Sequence, residues 1–79
     1  MSDVNSASAK FADLVLTIIR HDQSWRARVE EIDNPSSALS DGTEYASPDR
    51  AKRGAVAIAN ELFGTNVPEE GLEWRVAVE

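Results

Sequence analysis

The chain contains no cysteine and a single histidine among its 79 residues. Without thiols, no disulfide can staple the fold and no thiolate can hold zinc. His21, followed by Asp22, is the only pair that resembles a general base and its acidic neighbour. Its place in a short polar segment, "HDQS", reads as a solvated hairpin turn rather than a catalytic site. Neither a glycine-rich phosphate loop nor a set of ligands at metal-binding spacing occurs. Ser24 and Ser47 read as turn and cap residues. The run Glu30, Glu31 and Asp33 reads as a solvated strand end rather than a cation site. The chain is therefore expected not to be an enzyme, to use no cofactor and to bind no metal.

Long hydrophobic runs are also missing. No stretch approaches the ~18 apolar residues of a membrane span. The opening "MSDVNSASAKFA" lacks the basic-then-apolar pattern of a secretory leader. The expected location is the cytoplasm, away from membranes. Bases are scarce: eight Lys and Arg stand against 14 Asp and Glu, for a net charge of −6. A general nucleic-acid binder draws its affinity from neutralising phosphates, so this balance argues against one. It favours docking onto a basic protein surface. A chain this short forms one small domain, and with no covalent staple a homodimer, through a sheet face or edge, gains appeal.

What is present reads as one α+β domain over residues 13–79, preceded by a loose Ser/Ala/Asn-rich tail over residues 1–12. "LVLTIIR" (residues 14–20) is β-branched and apolar on both alternating faces, as an interior strand is. "WRARVEEI" (residues 25–32) alternates cleanly, with Trp25, Ala27 and Val29 inward and Arg26, Arg28 and Glu30 outward. "DNPSSALSDG" is rich in turn formers and reads as a loop. "TEYA" (residues 43–46) is a short third strand. "LEWRVAVE" (residues 72–79) alternates again, with Leu72, Trp74, Val76 and Val78 inward.

Between the last two strands, the spacing predicts a helix over residues 48–63. Ser47 is a natural N-cap, Pro48 suits the first helical position and Asp49 suits the dipole. Ala51, Ala55, Ile58, Ala59, Leu62 and Phe63 form the apolar stripe, and Gly64 suits a left-handed C-terminal position. The expected order is β-β-β-α-β. It gives a four-stranded mixed sheet of order 3-2-1-4, with the helix on one face and the last strand parallel to the first.

Two surfaces stand out. On the sheet face away from the helix, Arg26, Arg28, Glu30, Glu73 and Arg75 would surround Val15, Thr17 and Ile19, as a charged rim surrounds a small contact zone. At the helix start, Arg50, Lys52 and Arg53 stand where the dipole disfavours positive charge. Asp41 and Glu44 could neutralise them by pairing. Otherwise the cluster is a basic patch for an anion, RNA or an acidic partner.

The stretches "DQSWRARV", "DGTEYASPDRA" and "NVPEEGLEWRVAV" resemble HicB-type antitoxin domains. In these recur a strand with an Asp-x-x-Trp-x-Ala-type segment, a Gly-Thr element and a Ser/Pro-x-x-Ala helix start. The resemblance implies an acidic partner that blocks an RNA-handling toxin, and no catalytic residues carry over. "SPDRAKRGAVAIANELF" is also similar to the last helix of double-stranded-RNA-binding domains, in which Arg50, Lys52 and Arg53 would touch phosphate. The leading expectation is an acidic interaction module that binds and inhibits a basic, nucleic-acid-handling protein. The alternative is a nucleic-acid-binding module using the basic helix start.

Overall fold

The computed structural model describes residues 4–68 and 70–78. Five strands and one helix follow in the order β1 (Val4–Phe11), β2 (Leu14–His21), β3 (Ser24–Glu31), β4 (Asn34–Leu39), α1 (Pro48–Leu62) and β5 (Arg75–Val78). The strands form a single sheet of order β4-β3-β2-β1-β5, in which every neighbouring pair is antiparallel. The α+β class and the single helix agree with the sequence pattern, whereas the strand count and order do not.

The largest correction is at the N-terminus. Residues 4–11 of the expected tail form β1, inserted between β2 and the last strand; residues 1–3 lie outside the described residues. The segment alternates as a half-buried strand should: Ala7 and Ala9 are buried, while Ser6, Ser8 and Lys10 share the opposite face. Its inward residues are small, so it carries little hydrophobic signal. β5 consequently pairs antiparallel with β1 (Ala7 opposite Val76, Ser8 opposite Arg75) and does not touch β2. β4 and β5 still run in the same direction, at opposite edges, and the helix links them across the sheet.

The second correction concerns the expected third strand. The turn-rich segment forms β4, an edge strand on which Pro35 needs no ladder partner for its missing N–H. The "TEYA" segment contributes one bridge. Trp25 and Tyr45 exchange backbone hydrogen bonds of 2.8 and 2.7 Å. The last strand begins at Arg75 rather than at residue 72, and Glu79 lies outside the described residues.

The hairpins β1–β2, β2–β3 and β3–β4 each turn in two residues. Ala12 and Asp22 open the first two turns at φ 53° and 57°, the left-handed region that tight hairpins demand. Helix α1 forms as its sequence dictates. Ser47 is extended and its Oγ accepts the Arg50 N–H at 3.3 Å, and Pro48 takes the first helical position. Gly64, at φ 69°, ends the helix in a left-handed conformation.

The helix lies over β2 and β3. Leu14, Leu16, Ile18, Trp25, Ala27 and Val29 meet Ala51, Ala55, Val56, Ile58 and Ala59 in one core. The small alanines let helix and sheet approach closely. Trp74 packs against the same core as Trp25, on the helix side. Leu62 departs from the expected stripe and is 55% exposed, while Phe63 is half-buried. The interior-strand reading of β2 holds in position but not in burial. Its helix-facing residues are sealed, while Val15 and Thr17 are only half-buried and Ile19 is exposed.

Candidate interaction surfaces

The open sheet face is assembled as its alternation predicts. Cross-strand register sets Arg26 opposite Ile19, Arg28 opposite Thr17 and Glu30 opposite Val15. Arg75 joins the Thr17 row through Ser8. Glu73 lines a cleft of about 260 Å³ with Ser8, Ala9, Lys10 and Arg75. The middle of this face is short and weakly polar (Ser6, Ser8, Val15, Thr17, Ile19), with long charged side chains on either side.

Those charges are of both signs and partly paired. Arg26 Nη2 lies 3.3 Å from Glu44 Oε1, and Arg28 Nη2 lies 3.9 Å from Glu30 Oε1. The first pair is solvent-exposed and the second has a half-buried Glu30 at a longer distance, so each contributes about 0–1 kcal/mol. Lys10, which sequence reasoning did not single out, belongs to this face. Its signal would have been the alternation Ser6, Ser8, Lys10 in a segment read as tail.

At the helix start, the internal pairing expected of Asp41 and Glu44 does not form. Glu44 is held by Arg26. Asp41 accepts hydrogen bonds from Tyr45 Oη at 2.7 Å and from the Thr43 N–H at 2.9 Å. Slight burial pushes the Asp41 carboxyl upward, but these bonds outweigh it and hold it below its ordinary value. Burial first, then the bond to Asp41 and its charge, push the Tyr45 phenol up to about 12.

Lys52 has a structural role, its Nζ standing 5.6 Å from the centroid of the Trp74 ring. That contact contributes about 0.5–1 kcal/mol at an exposed site. Arg50 and Arg53 are exposed, and no carboxylate among the described residues lies within ion-pair distance of either. Asp49, Lys52, Arg53, Glu70 and Trp74 line a cleft of mixed charge beside them.

His21 is exposed at the β2–β3 hairpin, where its carbonyl accepts the Ser24 hydroxyl at 3.0 Å. Glu30 and Glu31 point to opposite faces of β3, so the acidic run does not converge on one point. No group of three His, Asp or Glu side chains poised to hold a metal occurs among the described residues. Nor is any helix among them long and apolar enough to cross a membrane.

A third surface lies at the opposite end and was not visible from sequence, because three separated turns build it. The Ile32 N–H donates to the Asp13 carbonyl at 2.8 Å, which ties the β1–β2 and β3–β4 turns together. The helix C-terminus arrives beside them. Ala12, Asp13, Leu14, Glu31, Phe63 and Thr65 line a cleft of about 310 Å³.

Ile32 and Leu62, 44% and 55% exposed, leave apolar surface at this end. Asp13 and Glu31 line the cleft, and the exposed Asp33 and Glu61 adjoin Ile32 and Leu62 in the chain. The last helical turn holds no base to offset the negative end of the dipole. The sequence signal was present but scattered: an apolar residue placed between acids in "EID" and beside one in "EL".

Compared with models of known protein families, with curated proteins and with solved structures, the chain matches none.

Proposed function

We propose that this protein is a small, acidic, non-enzymatic interaction module that binds and inhibits a basic, nucleic-acid-handling protein, in the manner of HicB-like antitoxins or phage-encoded inhibitors. The observation that carries the reading is the end of the domain where Asp13 and Glu31 line a cleft beside the helix C-terminus, with Ile32 exposed in the β3–β4 turn next to Asp33 and Leu62 exposed in the last helical turn next to Glu61. An apolar centre with a charged rim is how protein interfaces are built. Four carboxylates beside a helix C-terminus repel one another and the dipole, at a cost of a few tenths of a kcal/mol each. A basic partner relieves that repulsion. The same carboxylates present negative charge to a surface that otherwise holds phosphates, which gives binding an inhibitory outcome.

The test is affinity capture from the source cell with the wild-type chain and with an Asp13→Lys, Glu31→Lys, Glu61→Lys variant. The wild type is expected to retain a basic protein at low salt and to slow its action on nucleic acid; the variant does neither. Equal capture by both chains, or capture of acidic proteins alone, overturns the reading.

A second reading has its own support. Arg50 and Arg53 are exposed cations without a carboxylate partner among the described residues. They would serve a nucleic-acid-binding module that uses the helix start. Titration with duplex RNA at ~50 mM salt, where phosphate contacts are strongest, decides it; a flat curve removes this alternative.

A further inference from the structure

From the open sheet face we infer that the protein associates with a second copy of itself, sheet to sheet, leaving the acidic end free for a different partner. Helix α1 seals one side of the sheet only. The other side presents a centre of Val15, Thr17 and Ile19 beside Ser6 and Ser8, none of them covered by any element of the chain. An uncovered sheet face of this kind gains from a second layer about 10 Å away.

Charge selects the occupant. A face meant for a polyanion carries one sign, whereas this one carries both: Lys10, Arg26, Arg28 and Arg75 stand among Glu30, Glu44 and Glu73. A surface with both signs around an apolar middle is complementary to itself under a two-fold rotation. An axis crossing the strands at the row Ser8, Thr17, Arg28 reverses the strands of the second copy. Ile19 of one copy then covers Val15 of the other, and Arg26 faces Glu30. Arg28 and Arg75 lie on the axis row and meet their own counterparts at its two ends, where solvent screens them, and Arg28 keeps its own Glu30 as counter-ion at 3.9 Å.

The size is adequate. Five strands spaced ~4.8 Å apart, averaging roughly seven residues of ~3.3 Å, give a face of about 550 Å². Two copies bury on the order of 1,100 Å², above the ~1,000 Å² that a biological interface should clear. Edge pairing is the competing geometry. β4 is blunted by Pro35 and a register shift, so an edge dimer would have to form through β5.

The experiment is sedimentation of the full chain over a concentration series, with circular dichroism to verify the fold of each variant. The wild type is expected to dimerise. Ile19→Glu, at a position already 38% exposed, should weaken the dimer at least tenfold, roughly the loss expected from truncating a central interface contact. Val76→Pro, on the β5 edge, should leave it intact. Arg26→Glu and Glu30→Arg should each self-associate poorly yet pair with one another when mixed. A wild type that stays monomeric at millimolar concentration overturns the inference. So does a dimer that survives Ile19→Glu, or one that is lost with Val76→Pro, and so does failure of the mixed charge variants to pair.

Discussion

The Tyr45 ring occupies the space that a side chain on Gly54 would need: a Cβ built at Gly54 collides with Cζ and Oη of Tyr45. Gly54 is buried in the middle of α1, where glycine costs about 1 kcal/mol relative to alanine. Here it admits the ring that anchors the segment between β4 and the helix. Tyr45 also bridges Trp25 through the backbone and donates its hydroxyl to Asp41. One residue thereby joins the sheet edge, the loop and the helix.

Gly54→Ala should therefore destabilise the domain by about 1–2 kcal/mol, since overpacking outweighs the propensity gain. In a Tyr45→Ala background the collision is gone, and the same change should stabilise by about 1 kcal/mol. Urea unfolding of the four chains measures the reversal. A stabilising Gly54→Ala in the otherwise wild-type protein would show that the ring does not need that space.

The Tyr45–Asp41 bond sets a pH dependence. Tyr45 has a folded-state pKa raised from 10.0 to about 12. Its contribution is whole below pH 10 and is lost as pH climbs from 10 through about 12. Asp41 is shifted the other way, below its ordinary 3.8. Its contribution is whole above that value and is lost as pH falls through the lowered one. The stability gap between wild type and Tyr45→Phe should thus be level through neutral pH and narrow at both extremes. Unfolding midpoints at acidic, neutral and alkaline pH check this. A gap that widens toward either extreme contradicts the assignment.

Much of the fold was legible because β2, β3 and α1 carry strong periodic signals, and the caps Ser47, Pro48 and Gly64 sit where their chemistry places them. β1 was not, because burial there uses Ala7 and Ala9 set among Ser6, Ser8 and Lys10. Each alanine offers little apolar area, and the segment is a strand only because β2 and β5 flank it. β4 was hidden by Pro35 and its serines, which suit a turn as well as an irregular edge. There Ser37 Oγ accepts the Glu31 N–H at 2.8 Å.

The charged rim of the open face followed from alternation alone, which survives the error in strand count because register preserves faces. The acidic end required knowing which turns meet. Gly54 carried a readable hint, since an interior helical glycine points to a close approach.

Backbone strain at the first hairpin gives another expected outcome. Ala12 holds φ 53°, a region where a Cβ costs about 1 kcal/mol or more. Ala12→Gly should raise the thermal midpoint by roughly 4–8 °C, as about 1 kcal/mol does in a domain of this size. Asp22→Gly, at φ 57°, should gain less, because Asp tolerates the left-handed region better than Ala. Calorimetry on the two variants separates them. Equal shifts would show that the side chain at these turns is immaterial.

Arg50 bears on why a helix should begin with bases. With Ser47 as N-cap, Arg50 is the third helical residue, where a Glu would reach back to the Ser47 N–H and complete a capping box. Arg50→Glu should therefore stabilise the domain by about 0.5–1 kcal/mol, through the cap and the dipole together. Lys52→Glu should gain less, because it forfeits the contact with Trp74. A chain that keeps Arg where Glu holds the fold better is keeping it for something other than the fold. Chemical unfolding measures the gain, and duplex-RNA titration of the same variants shows whether nucleic acid is what the cation serves. Stabilisation with unchanged, measurable RNA binding would assign Arg50 to neither role. Destabilisation by Arg50→Glu would show that the cation supports the helix start after all.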